Sequence, residues 1–505
     1  METPGFLGTI ISNEDTPNTN KYYFVIKNGS PKKGQYVQSE IDDGEVIGYI
    51  SELIKFNRYF QKPETVAEFG GIKNIRESFP VDSWEYLIAE VKILGFFKKS
   101  KFERMLIAPK PGSGVVSADN EKLTKFLGFT QDGLNLGKIE HHEVDAKVSL
   151  TRLLQKHFAI LAMSGSGKSH LASVLLEELL DRKQDQGRVA VVVIDIHGEY
   201  AGFVTDPKFG SKTKIVEGKD IKIPLRKISP EIMIQWMKGI KGDVQGEALK
   251  SAYFSALKKA GRGNPFGLKK LFEEVMGSNE KDPTKNALKR AIFELRRQKI
   301  ISKSRENPNL NEDVKPGELL ILDFSSIDSQ RKKQIAVAII AKKLFTLRRA
   351  GKIPPFLLLV EEAHNFAKEK AEASEAISKP IIETIAREGR KFGASLGLIT
   401  QRPVNLSTTA LSQCNTHIIL RVTNPNDLDH IQKSAEGIDS RVVSSITSLK
   451  VGEGIVVGEA VNYPIFVKFR DRKSEKRERG IPLHLQAIEF EKKKAKIEKG
   501  VEAFI

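Results

Sequence analysis

From residue 158 onward the chain alternates short apolar runs with longer stretches whose apolar positions recur at helical spacing. The runs are 158–163 (FAILAM), 189–196 (VAVVVIDI), 319–324 (LLILDF), 356–361 (FLLLVE), 396–400 (LGLIT), 417–422 (HIILRV) and 454–458 (GIVVG). Continuous runs of this length predict strands buried on both faces. Their alternation with amphipathic helices predicts an α/β unit around a parallel sheet. Between the second and third runs, residues 228–305 are rich in helix formers and predict a helical insertion. It either covers one edge of the sheet or contacts partners.

Residues 1–57 carry a different pattern. FLGTIIS, KYYFVIKNG, GQYVQSEI and GEVIGYISEL are short strand-like segments separated by Asn, Asp, Pro and Gly clusters, the pattern of a small antiparallel barrel or sandwich. The segments 85–97 and 103–109 predict its later strands, and 121–129 a helix leading to the next unit. The expected organisation is an N-terminal β-barrel domain with linker over 1–145, an α/β core over 146–468 and a basic C-terminal extension over 469–505. In that extension the KKKAKIEK run reads as a solvated helix face, or alternatively as a DNA or subunit contact.

Composition sharpens this picture. At 505 residues the chain exceeds what one hydrophobic core usually organises. A formal net charge of +17 favours a polyanionic partner, either nucleic acid or an anionic membrane surface. The single cysteine, Cys414, excludes an intrachain disulfide framework and reads as filler. No apolar run approaches the roughly 20 residues that a spanning helix needs, and the first residues lack the pattern of a secretory signal, so a cytoplasmic, non-membrane protein is expected.

The chemistry lies in four segments. AMSGSGKS (162–169) follows a predicted strand and precedes a predicted helix. Glycines let backbone N–H groups approach a phosphate, and the helix adds the positive end of its dipole. This is a P-loop: Ser164, Gly165, Ser166, Gly167, Lys168, Ser169 and His170 form the nucleotide cradle, with Lys168 on the β- and γ-phosphates and Ser169 on Mg²⁺. Ala162 stands where the strict pattern has glycine, which costs little provided its φ stays negative. The fold class is therefore α/β, a RecA-like P-loop ATPase core, with ATP and Mg²⁺ as cofactors.

FLLLVEEAHNF (356–366) ends a strand in two acids, Glu361 for the Mg²⁺ shell and Glu362 to polarise the attacking water. In LGLITQRP, Gln401 with Thr400 lies where an amide touches γ-phosphate and water, or else forms a plain strand-to-loop turn. Asp195 also ends a strand, with Glu199 close behind, and either sits in the outer metal shell or caps the next segment. In IAREGRKFG, Arg387 and Arg390 share one face of a predicted helix. They read either as a solvated basic face or as a finger presented to the ATP of a neighbouring subunit, with Arg387 catalytic and Arg390 a nucleotide contact. His364 and His417 are expected to make structural hydrogen bonds.

In this order, SGSGKS, VVVIDIHGEY, LLLVEEAHNF, AREGRKFG and LGLITQRP resemble the archaeal HerA ATPases of the HerA–FtsK group. GQYVQSEI and GEVIGYI resemble that family's β-barrel domain. The resemblance implies a homohexameric ring that moves double-stranded DNA through a central pore. It also implies a NurA-type nuclease partner in end resection and recombinational repair, and Arg387 as the finger acting in trans. Two other readings are an ATP-driven protein-remodelling ring and a nucleotide-gated DNA clamp that does not translocate.

Overall fold

The computed structural model describes residues 5–42, 44–57, 60, 67, 80–98, 101–103, 105–237, 240, 243–371, 375–435, 437–438, 440–476 and 484–492. Seven strands make the N-terminal unit: β1 (Phe6–Ile11), β2 (Lys21–Ile26), β3 (Tyr36–Ile41), β4 (Gly44–Asn57), β5 (Glu85–Lys98), β6 (Lys101–Glu103) and β7 (Gly114–Ser117). They are ordered β2-β1-β7-β3-β4-β5-β6, and β2 also pairs antiparallel with β5. Six strands thus close a barrel, which leaves no open edge, while β6 hangs on the outside of β5. Inward positions of the alternating strands, among them Tyr22, Phe24, Val37, Val46, Ile50 and Val91, fill the barrel.

The strand expected over 103–109 is not there. The paired segment is Lys101–Glu103, and Leu106 and Ile107 stand 76% and 66% exposed. Pro109 removes a backbone donor at the end of the run, and Pro111 removes another just beyond it. The sequence pattern also passes over β7, whose four residues are too short for alternation to register.

The second sheet has eleven strands: β8 (Leu134–Ile139), β9 (Asp145–Val148), β10 (Phe158–Leu161), β11 (Ala190–Asp195), β12 (Thr213–Glu217), β15 (Leu319–Asp323), β16 (Phe356–Val360), β17 (Ala394–Thr400), β18 (Thr416–Ile419), β19 (Glu453–Gly458) and β20 (Ile465–Phe469). Two further short strands, β13 (Ile223–Pro224) and β14 (Ile301–Ser302), pair separately. The order is β12-β15-β11-β16-β17-β10-β18-β19-β20-β8-β9, parallel from β12 through β18 and antiparallel beyond. All seven apolar runs are strands, and β10, β11, β15, β16, β17 and β18 are buried along their whole length. The sequence boundary near 145 falls within the β8–β9 hairpin, so the last two strands before β10 already belong to this sheet.

The insertion is helical, with helices Pro230–Trp236, Asp243–Ala260, Leu268–Met276 and Asp282–Arg297. Its apolar positions, such as Leu249, Leu271 and Leu288, share one continuous core with Ile335 and Phe345 of the long helix Gln330–Arg349. It is therefore built into the ATPase core rather than appended to it. The KKKAKIEK run lies outside the described residues except for its first lysine, Lys492.

Past β20 the chain straps across the helix Lys168–Leu180. The fully buried Glu177 accepts hydrogen bonds from Arg470 Nη1 (2.7 Å), Lys473 N (2.8 Å), Ser474 N (2.8 Å) and Ser474 Oγ (2.6 Å). Burial alone would raise its pKa; the bonds from Ser474, Lys473 and Arg470 outweigh it and hold the carboxyl below the ordinary value. Glu177→Ala strands four donors, so it should cost about 3 kcal/mol of stability at neutral pH, read as a fall in the thermal midpoint. Because the folded pKa is depressed, this contribution is complete above the ordinary glutamate value of 4.5 and is lost as pH falls through the folded one. The gap between wild type and variant should narrow on the acid side.

Candidate nucleotide-binding and hydrolysis site

Parallel strands bring their carboxyl ends to one edge of the sheet, the usual ligand position in open α/β folds. Here β10 runs into the P-loop, with β17 and β18 on either side of it. Ala162 N donates to Thr400 O (3.1 Å) and Met163 N to Arg421 O (2.9 Å), so the loop's entry is fixed between the two neighbours. Ala162 is fully buried and keeps a φ outside the left-handed region, so alanine fits there. Gly165 and Gly167 have φ of 76° and 101°, which a side chain would resist. No side chain caps the helix that starts at Lys168, leaving its first N–H groups to meet an anion.

Around this loop the structure brings together most of the residues expected from sequence. Lys168 Nζ bonds to Glu362 Oε1 and lies 3.9 Å from Glu361 Oε1. Gln401 Nε2 donates to the same Glu362 Oε1 (2.6 Å). His364 Nδ1 sits 3.0 Å from Thr400 Oγ1 and 3.4 Å from Glu362 Oε2. Glu362 itself has φ 46° and ψ 47°, a left-handed conformation that costs an acidic side chain about 1 kcal/mol or more. That turn, directly after a straight buried strand, aims consecutive carboxylates at the same lysine.

Glu361 is wholly buried. Its pKa is pushed well up, by burial first and then by the charges of Asp195 and Glu199. Glu199 is held below the ordinary value: burial opposes this, but hydrogen bonds to Glu361 and Ser169 and the charge of Lys168 prevail. Glu361 Oε1 and Glu199 Oε2 meet no N–H or O–H donor among the described residues. The contact between the two carboxyls is eased by a proton on one of them, and burial with the charges of Asp195 and Glu199 favours Glu361 as its holder. A divalent cation beside the Ser169 hydroxyl would replace that proton, so the residues present fit Mg²⁺, which uses one or two carboxylates and phosphate oxygens. Glu199 is the residue that sequence reasoning left without a role; its place four residues past a strand-ending acid was the available signal.

Asp195 does something else. Its oxygens accept from Glu199 N (3.0 Å) and Tyr200 N (3.1 Å), capping the turn after β11, and burial pushes its pKa up to about 6. Of the two sequence readings, the cap is the one its contacts fill. His170 also turns away: its Nε2 bonds to Arg470 O (2.9 Å), on the strap, which leaves its backbone N–H as its means of reaching a phosphate. Arg387 and Arg390 are exposed on the helix Lys379–Phe392, and Arg387 Nη1 lies 3.9 Å from Glu383. His417 is buried with Nε2 lacking a partner among the described residues, contrary to the structural bond expected of it. Cys414 is buried, its thiol pushed far up, as filler would be.

Residues 134–344 match the family described as the central domain of helicase HerA. A probable helicase of Methanocaldococcus jannaschii is 29% identical over 467 residues, covering 87% of this chain and 86% of that protein. The DNA double-strand break repair helicase HerA of Pyrococcus furiosus is 26% identical, covering 86% and 87%. Over most of its length the chain is similar to HerA helicases. Among solved structures, VirB4 of Thermoanaerobacter pseudethanolicus superposes on this chain with a TM-score of 0.55 at 18% identity, covering 68% of this chain and 98% of VirB4. The plasmid coupling protein TrwB gives 0.50 at 13% identity, covering 72% and 95%. These two share its fold.

Burial and the charges of Asp195 and Glu199 disfavour the charged form of Glu361, so Glu361→Gln supplies a neutral group of nearly the same shape. Its thermal midpoint without nucleotide should stay within about 1 kcal/mol of wild type in stability terms, while the stabilisation added by Mg²⁺-ATP disappears. A raised folded pKa contributes stability that is full below the ordinary value of 4.5 and is lost as pH rises through the folded pKa. Glu361→Gln should flatten that decline.

Proposed function

We propose that this protein is an ATP-driven motor on double-stranded DNA, a translocase or helicase that works as a homohexamer in DNA repair. The observation carrying this reading is the convergence of Lys168, Glu361, Glu362 and Gln401 on a P-loop, with Arg387 and Arg390 exposed on a separate helix. The names of the relatives and the +17 charge support DNA as the substrate. A nuclease of the NurA type, acting with the motor in end resection, belongs to the same proposal. The charge also weighs against a protein-remodelling ring.

In the proposed cycle the phosphates take Lys168 from Glu362. The freed carboxylate accepts a proton from water held by Gln401, whose amide is already within 2.6 Å of it. Ser169, Glu361 and Glu199 would hold Mg²⁺, which when bound would supply positive charge to offset that of the phosphates. His364, bonded to Thr400, keeps Glu362 and β17 in register. Arg387 of a neighbouring subunit completes the charge stabilisation, and its withdrawal after cleavage shifts one subunit against the next.

Arg387→Ala should retain ATP binding and lose turnover by about 10³-fold or more. Near-normal turnover would refute the finger. Glu362→Gln should bind ATP and lose about 10²–10⁴ in kcat. Duplex DNA should stimulate hydrolysis, with the half-saturating concentration rising about 10³-fold between 50 and 200 mM salt if six or more phosphates are held. A salt-insensitive ATPase that ignores DNA would favour the remodelling reading.

A further inference from the structure

His157 stands at the corner between the helix Leu150–Gln155 and β10, in a left-handed conformation with φ 61°, and is 2% exposed. Its ring reaches two other elements at once. Nε2 lies 3.0 Å from Ala386 O, in the helix Lys379–Phe392, and Leu396 N in β17 donates to Nδ1 (2.9 Å). Since Nδ1 accepts, the ring is the neutral tautomer and Nε2–H donates to Ala386 O. Burial pushes the pKa down to about 4, so this pattern holds at working pH.

Ala386 directly precedes Arg387. One turn on, Gly389 lies over the same ring: a methyl there would be 3.3 Å from His157 Cε1 and would collide with the Ala394 carbonyl oxygen. The helix therefore sits as low on the sheet as a bare backbone allows, and a single side chain pins its carbonyl from beneath. Bond and contact together fix the roll of the helix, and so the direction in which Arg387 and Arg390 leave it. The other end of β10 is the subunit's own P-loop.

We propose that His157 is a positioning residue: it locks the arginine-bearing helix to the strand that carries the P-loop, so that the finger offered to the neighbour is set by the subunit's own nucleotide strand. This rests on the finger reading of Arg387. The bond could instead serve only to stabilise the strand, and the two roles differ in which subunit's site suffers.

The test uses the full chain in mixed assemblies. His157→Asn suits it because asparagine tolerates the left-handed backbone but is too short to reach Ala386 O. Alone, it should keep the KM for ATP and lose about tenfold or more in kcat, the size of effect expected when a reacting group is misplaced. Co-assembled with Lys168→Ala subunits, which lack a working P-loop but supply a sound finger, turnover per intact P-loop should recover. Gly389→Ala, which lifts the same helix, should behave alike. If His157→Asn stays inactive in the mixture while Arg387→Ala recovers, the damage lies in its own P-loop and the proposal is overturned. If Arg387→Ala itself fails to recover, the finger does not act in trans, and the reading beneath the proposal falls with it. Wild-type assembly mass and thermal midpoint for each variant establish that folding is not what is measured.

Discussion

One buried cation holds the site together. Lys168 is 7% exposed and lies within ion-pair range of both carboxylates at the end of β16, which are themselves almost wholly buried. Such an arrangement is stable only because charge is compensated on the spot; an unpaired charge in that position would cost several kcal/mol. It also means that the machinery is self-occupied without nucleotide. In the proposed cycle the γ-phosphate competes with Glu362 for the lysine, and the carboxylate it displaces is the one bonded to Gln401. Binding and activation are then two faces of a single exchange of partners.

The backbone supports this exchange from several directions. The left-handed turn at Glu362 would relax if the site did not need it, and it persists because β16 before it and the short helix Ala363–Asn365 after it are fixed. Thr400 closes the other side, giving its carbonyl to Ala162 and its hydroxyl to His364. The strap from Arg470 to Glu475 secures the helix behind the P-loop through Glu177 and the side chain of His170. Rigid strands thus surround a small set of side chains that can trade partners, which is how a fold couples phosphate chemistry to movement of larger parts.

Much of this was legible from the sequence. Strongly apolar runs had to be strands because no other short element buries every residue, and all seven were. The resemblance to HerA rested on the same segments. The barrel was legible from alternation, except at 103–109, where prolines at its end and just beyond it disfavour the pairing that the apolar residues suggest. Lys168, Glu361, Glu362 and Gln401 were found because their chemistry is tied to local position: a glycine turn, or the end of a buried strand.

What only the tertiary structure decided concerns which partner each side chain meets, in most cases one far along the chain. Asp195 read either as an outer metal-shell residue or as a cap, with Glu199 close behind; its contacts in the fold are those of a cap, while Glu199 turns toward Ser169 and Glu361. His170 was placed in the cradle by adjacency, yet its ring serves the strap. His157 carried no local mark, since its role consists of two bonds to residues more than 200 positions away. The sequence determines local geometry and which chemistry is present, because backbone preference and burial act on neighbours. Which of two acids meets the lysine, and which histidine holds the arginine helix, depends on long-range packing alone.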